Sequence, residues 1–258
     1  MKLFNRTYGE SGTPLIILHG LFGLSDNWTS LAKRFSGEGH LHVIVPDLAN
    51  HGQSPRSDAF DYTSMMADVM ELIKDKDLAE VYLMGHSMGG KVAMELAVNH
   101  SEKVKKLIVA DIGPKYYPLH HQQILDAMFS LDLSKMNSRK EAEEDLSKHF
   151  KDRGLVQFLL KNLYWTEDSK LDWRMNLPVI SKNIHEVGRA LEEDAIYSGP
   201  ALFVKGENSN YIEAGDWADI TKHFPHADLE EIKEAGHWVN ADKPAEFYDV
   251  AMRFLTNN

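Results

Sequence analysis

The chain has no cysteine. That excludes disulfides, a thiol nucleophile and Cys-ligated zinc, and it suits a reducing compartment. Long apolar runs are missing too, since none approaches the ~18–20 residues that span a bilayer. Basic charge is in deficit, with 28 lysines and arginines against 39 acidic residues and a formal net charge of −11. An acidic balance repels phosphate backbones and anionic lipid, so neither nucleic acid nor a membrane surface is an expected partner. The opening residues, Met1-Lys2-Leu3-Phe4-Asn5-Arg6, lack the apolar h-region of a signal peptide. A soluble cytoplasmic protein is the expectation. The 258 residues, 43% hydrophobic and 26% charged, suit one large α/β domain, or one domain carrying an insertion.

Short apolar runs alternate with helical patterns through residues 1–115. Pro14–Leu18, Leu41–Val45, Val81–Met84 and Val104–Ala110 read as buried strands. Between them, Asn27–Phe35, Tyr62–Lys76 and Lys91–Asn99 read as helices, the second carrying Met65, Met66, Val69, Leu72 and Ile73 at helical spacing. Such alternation predicts a mostly parallel sheet with helices on both faces. The rhythm breaks over residues 116–198, where no convincing strand is visible. Ile124, Leu125 and Met128, then Leu155, Val156, Leu159, Leu160 and Leu163, recur at helical spacing. The segment is predicted to be a helical cap inserted into a core formed by residues 1–115 and 199–258. Strands at Ala201–Lys205 and Asp228–Ile232, with helices at Trp217–His223 and Pro244–Phe254, complete the core.

Residues 85–89 read Gly85-His86-Ser87-Met88-Gly89, a G-x-S-x-G pentapeptide between a strand and a helix. A nucleophile elbow needs this pattern, because the serine sits on a turn too tight for bulky neighbours. A serine nucleophile also needs a base, an acid to orient the base, and donors for an oxyanion. Of thirteen histidines, His237 is the best placed base, in the loop after the last strand, where functional groups of open parallel sheets collect. Leu18-His19-Gly20-Leu21-Phe22-Gly23 follows the first buried strand and offers the Leu21 amide as an oxyanion donor. The Met88 amide, just after the nucleophile, is its expected partner. Phe22, His86 and Trp238 adjoin these positions and are predicted to line the substrate pocket.

His19-Gly20, Pro46-Asp47-Leu48, His51-Gly52-Gln53-Ser54, Gly85–Gly90 and Gly236-His237 together resemble the α/β-hydrolase family, in its order and along essentially the whole chain. The HGLFG, PDLANHGQS and DIGP segments most resemble its small esterase and thioesterase branch, typified by the bacterial esterase YbfF. The resemblance implies hydrolysis of a small-molecule carboxylic ester or acyl thioester (acyl-CoA among them), with a helical cap over the serine. The acid departs from the common pattern. Where most relatives carry an aspartate after the next-to-last strand, this chain has Lys205-Gly206-Glu207-Asn208-Ser209, and Ser209 cannot carry the charge that stabilises imidazolium. Asp111, at the end of the preceding strand, is the predicted acid, as the resemblance also implies. Glu207 is the competitor. No cofactor or metal is expected, and the oligomeric state is left open.

Asp47 and Ser54 read as turn scaffold. Met128, Met136, Met175, Phe129, Phe158 and Trp165 are weaker candidates for an acyl tunnel. Gly85–Lys91 also matches a P-loop opening, but Val92 stands where Ser or Thr would meet Mg²⁺. No histidine pair has convincing zinc spacing, and His120-His121 and His223…His226 read as surface residues. No basic cluster in the sequence marks a site for CoA phosphates. Two other readings remain: carbon–carbon bond hydrolysis or lyase chemistry on the same three residues, and a non-catalytic hydrolase-fold binding protein.

Overall fold

A computed structural model describes residues 1–257. Seven strands form the main sheet: β1 (Asn5–Tyr8), β2 (Pro14–Leu18), β3 (His42–Pro46), β4 (Val81–His86), β5 (Val104–Ala110) and two later ones. Between β5 and those two lies a separate hairpin, β6 (Leu163–Trp165) and β7 (Leu171–Trp173). The sheet resumes with β8 (Ala201–Gly206) and β9 (Ala227–Ile232), and its order is β1-β3-β2-β4-β5-β8-β9. Only β1 runs antiparallel to its neighbour; every other pairing is parallel.

The two faces of the sheet follow from period-two alternation in strands buried on both sides. On β2, Ile16 and Leu18 join one core with Met65, Val69, Val92 and Leu96, from helices α2 (Tyr62–Asp75) and α3 (Met88–Asn99). Leu15 and Ile17 point the other way, into a core with Phe35 of α1 (Thr29–Gly37) and Phe247 of the C-terminal helix Pro244–Thr256. Asp61 starts α2 as its N-cap, accepting the Ser64 amide at 2.7 Å.

Residues 116–198 hold α4 (Gln122–Ser130), α5 (Arg139–His149), α6 (Arg153–Leu160), the β6–β7 hairpin and α7 (Leu177–Lys182). The hairpin corrects the expectation that this stretch has no strand. Three-residue strands are too short to show alternation, and Leu163 continues the apolar spacing of α6, so the pattern hides the change of structure. β1 was equally invisible: Asn5-Arg6-Thr7-Tyr8 is a polar edge strand with no buried face.

Polar contacts seat this segment on the sheet's helices and loops. Asn162 Nδ2 donates to the Phe22 carbonyl at 2.7 Å, and the Asn176 amide to the Asn50 carbonyl at 2.8 Å. The Lys91 ammonium is buried and donates to the carbonyls of Pro114 (3.0 Å), Lys115 (2.6 Å) and Arg189 (2.9 Å). It thereby ties together the two ends of the segment. Its three donors are spent on the backbone, which removes the physical basis for a phosphate-binding lysine in the P-loop reading.

Candidate active site

β4 ends at His86 and α3 begins at Met88, so one residue, Ser87, makes the whole turn. Its backbone lies at φ 52°, ψ −121°, a strained region for a residue with a Cβ. The turn closes only because its flanks lack side chains. A Cβ on Gly85 would lie 2.1 Å from the Gly89 carbonyl oxygen, and one on Gly89 would lie 2.4 Å from that of Leu18. The Ser87 amide anchors the turn by donating to the Ala110 carbonyl at 3.0 Å.

His237 Nε2 lies 3.0 Å from Ser87 Oγ, and its Nδ1 lies 2.8 Å from Asp111 Oδ2. A carboxylate only accepts, so Nδ1 carries the ring proton and Nε2 presents a lone pair to the serine hydroxyl. Asp111 is fully buried. Because β8 lies between β5 and β9, the Asp111 carboxylate must be held across β8, and that strand supplies the holders. The Gly206 amide donates to Oδ1 at 3.0 Å, and the Ser209 hydroxyl donates to Oδ2. Ser209, at the position where an acid is commonly found, thus hydrogen-bonds to the aspartate one strand over. Glu207 is turned away, accepting the Glu234 amide at 2.8 Å.

The loop after β2 is fixed by neutral histidines. His51 Nε2 accepts the Phe22 amide at 3.3 Å, and His19 Nε2 accepts the Leu48 amide at 2.9 Å. Their Nδ1 atoms lie 3.0 Å from the Ala49 carbonyl and 2.9 Å from the Gly20 carbonyl, and so donate. Gly23 N–H donates to the Gly20 carbonyl at 2.9 Å. With Phe22 and Gly23 tied down, the Leu21 amide is left without a protein partner among the described residues, as is that of Met88. A Cβ on Gly20 would lie 3.3 Å from that of Ser87, so this loop passes directly over the nucleophile turn. His86 is buried and donates from Nε2 to the His237 carbonyl at 2.8 Å.

Burial first, and then neighbouring histidine charge, pushes His51 and His86 down to about 3. Their unfolded-state value is near 6.5, so below it the unfolded chain binds protons that the fold refuses. The stabilisation is complete above about pH 6.5 and is lost as pH falls toward 3, at about 1.4 kcal/mol per pH unit for each histidine. Urea unfolding at about pH 7 and about pH 5 is expected to show this loss; equal stability at both would contradict it.

A cleft of about 550 Å³ opens above Ser87, with Leu21, Phe22, His86, His237 and Trp238 in its wall. A narrow crevice that shares Ser87, His121 and Tyr211 with the cleft is lined by Met88, Ile112, Tyr117 and Val187. All three sequence-predicted pocket residues therefore reach the cleft, although the His86 ring is committed to the His237 backbone. Of the six residues of the 116–198 segment named for a tunnel, only Phe158 lines it, 5.7 Å between ring centroids from Trp238. Met128 and Met175 are buried in the main core, while Phe129 and Trp165 face solvent. Asp47 accepts the amides of Ser25 (2.6 Å) and Gln53 (2.8 Å), and Ser54 donates to the Asp47 carbonyl, so both are scaffold.

Tyr211 was not legible in the sequence. Its ring stacks on His237 at 3.8 Å and 15°, and its hydroxyl lies 2.5 Å from His120 Nε2. His120 is exposed, as expected, and lines the cleft beside half-buried His121, whereas His223, also expected on the surface, is buried against the Ala195 carbonyl. Only tertiary packing brings these residues in, and no local spacing announces it. No three histidine or acidic side chains converge on a metal-binding point among the described residues, and none of their helices is long and apolar enough to cross a membrane.

Residues 13–128 match the model of the alpha/beta hydrolase fold family. The esterase YbfF of Escherichia coli is 33% identical over 96% of this chain and 95% of its own. The chain belongs to the α/β-hydrolase family. The chain is also similar to the sn-1-specific diacylglycerol lipase ABHD11 of Danio rerio, 38% identical over 96% of this chain and 79% of that one. Among solved structures, a marine microorganism esterase superposes with a TM-score of 0.95 at 43% identity, covering 98% of this chain and 99% of that one. This chain thus has the mostly parallel α/β-hydrolase sheet flanked by helices, as the sequence predicts.

Proposed function

We propose that this α/β-hydrolase is a carboxylesterase that works through an acyl-enzyme on Ser87. The observation that carries this is the continuous chain Ser87 Oγ–His237 Nε2 (3.0 Å) and His237 Nδ1–Asp111 Oδ2 (2.8 Å) beneath a cleft with aromatic and aliphatic walls. In this reading Ser87 attacks the ester carbonyl as His237 takes its proton. The tetrahedral oxyanion accepts from the Leu21 and Met88 amides, which the fold leaves unpartnered. His237 then protonates the departing alcohol, and water repeats the sequence to release the acid. Asp111 holds the imidazole tautomer and stabilises the imidazolium.

Residues 116–198 act as the cap, and the acyl chain lies against Phe22, Leu155, Phe158 and Trp238. Acyl thioesters fit the same chemistry, since the oxyanion geometry is shared. A cysteine-free chain suits the cytoplasm as the setting. Relatives named esterase and lipase support ester hydrolysis over carbon–carbon cleavage or lyase chemistry, and a binding protein has no use for the assembled Ser87, His237 and Asp111. Turnover of p-nitrophenyl esters of increasing acyl length, beside matched acyl thioesters, is the test. Hydrolysis of the short esters is expected, and its absence across the series would overturn the reading.

Ser209 enters this mechanism as a holder of Asp111. Ser209→Ala removes one hydrogen bond to a buried charge, worth about 1.5–3 kcal/mol. Esterase kcat/KM is expected to fall by about tenfold or more, with the fold intact. Wild-type kinetics in this variant would mean that the Ser209 contact does not orient the acid.

A further inference from the structure

A second cavity, of about 210 Å³, lies between β1, the loops after β2 and β3, and the segment 116–198. Arg6, Arg139, Lys161 and Arg174 line it, with Asp26 and Asp47 as the only carboxylates in its wall. Four cations in one pocket stand out in a chain of net charge −11. They are distant in sequence, which is why no basic cluster was visible there.

Two carboxylates offset only part of the charge of four cations. Asp47 is occupied by the Ser25 and Gln53 amides. Asp26 lies 3.6 Å from Arg6 and engages no other cation of the four. Among the described residues, Arg139, Lys161 and Arg174 have no carboxylate within 4.0 Å. Arg6 Nε is shielded from solvent and has no hydrogen-bond partner. Arg174 is oriented by its guanidinium lying 4.9 Å over the Tyr164 ring, which leaves its N–H edge uncommitted. Arg139 gives one N–H to the Leu163 carbonyl and keeps the rest of its fork. Lys161 lines both this pocket and the catalytic cleft, so the two are neighbours.

We propose that this pocket binds a phosphate-type anion at the edge of the ester-cleaving cleft. Planar guanidinium forks with unpaired donors match phosphate oxygens, and a shared wall at Lys161 allows one molecule to occupy both spaces. Two sources carry that chemistry: a phosphate on the leaving group of the substrate, or free inorganic phosphate or pyrophosphate. Arg6 belongs to the sheet and the other three to the cap, so a bound anion also ties one to the other.

The test uses the full chain and inorganic pyrophosphate as probe, followed by calorimetry at constant ionic strength. Saturable binding is expected, weakened about tenfold or more in Arg139→Gln/Arg174→Gln, since each lost contact is a charge-assisted hydrogen bond. Arg6→Gln, on the opposite wall, is expected to weaken it as well and keeps the test open if the cap variant does not fold. A second arm compares the butyrate esters of 4-hydroxyphenyl phosphate and of 4-methylphenol. A lower KM for the phosphorylated ester that disappears in the arginine variants assigns the anion to the substrate. Equal KM values, with pyrophosphate altering hydrolysis of the neutral ester, assign it to free phosphate. No saturable binding, or binding unchanged in the variants, overturns the proposal. The calorimetric arm is independent of the esterase reading; only the substrate arm rests on it, and hydrolysis of the neutral ester separates the two failures.

Discussion

Ser87→Ala is expected to lower ester kcat by on the order of 10⁶, leaving only the residual that the oxyanion donors and substrate binding supply. Loss of a nucleophile that acts as a unit with its base costs on the order of 10⁶ in kcat in a comparable serine hydrolase. The variant keeps its Cβ and its positive φ, so its folding stability should match that of the wild type. Ser87→Gly separates function from strain. It is equally inactive, but glycine adopts φ 52° without penalty. Strain of this kind costs on the order of 1–3 kcal/mol, so a Tm rise of roughly 2–10 °C is expected for a domain of this size. An inactive but more stable Ser87→Gly enzyme is the signature of a turn strained to present a nucleophile. If Ser87→Ala retained ester turnover, the serine mechanism would be wrong at its root.

Asp111→Asn is the second large effect. An asparagine at this position can turn its amide N–H toward His237 Nδ1, which then accepts and pushes the ring proton to Nε2. Nε2 then faces the serine hydroxyl as a donor and cannot take its proton. The comparable change in a serine protease lowers kcat about 10⁴-fold, and a fall of about 10³–10⁴ is expected here. The Gly206 amide and Ser209 hydroxyl lose a charged acceptor as well, so some loss of stability should accompany it. Glu207→Gln should leave kcat within a factor of about two, because that side chain accepts only the Glu234 amide at the surface. Parallel steady-state kinetics on both variants decide the matter. A large loss in Glu207→Gln with a small one in Asp111→Asn would reverse the assignment.

Legibility in the sequence tracked the range of the physics involved. Ser87 was visible because its turn is a local steric problem with a local solution, glycine at 85 and 89. The core strands were visible because burial on both faces leaves continuous apolar runs, as in Pro14–Leu18. Asp111 needed a longer inference, from a missing acid at 209 to a neighbouring strand end, and the β5–β8 pairing supplies the geometry behind it. Ser209 was read only for the charge it lacks, whereas its hydroxyl donates to the Asp111 carboxylate. Tyr211 and His121 escaped altogether, because their places are set by contacts with His237 and Phe22 far away in the chain. The β6–β7 hairpin escaped because its strands are too short to carry a period. The four cations of the second cavity come from positions 6, 139, 161 and 174, where no run or spacing links them.

The central claim is that His237, held by Asp111, activates Ser87. A fluorophosphonate reports on this directly, since it phosphonylates a serine only where a base has made it nucleophilic and an oxyanion hole accepts the adduct. Peptide mass mapping after reaction should find one adduct, on Ser87, formed rapidly in the wild type and in Glu207→Gln and slowed by orders of magnitude in Asp111→Asn. A label on another residue, or equal labelling rates in Asp111→Asn and the wild type, would contradict the account.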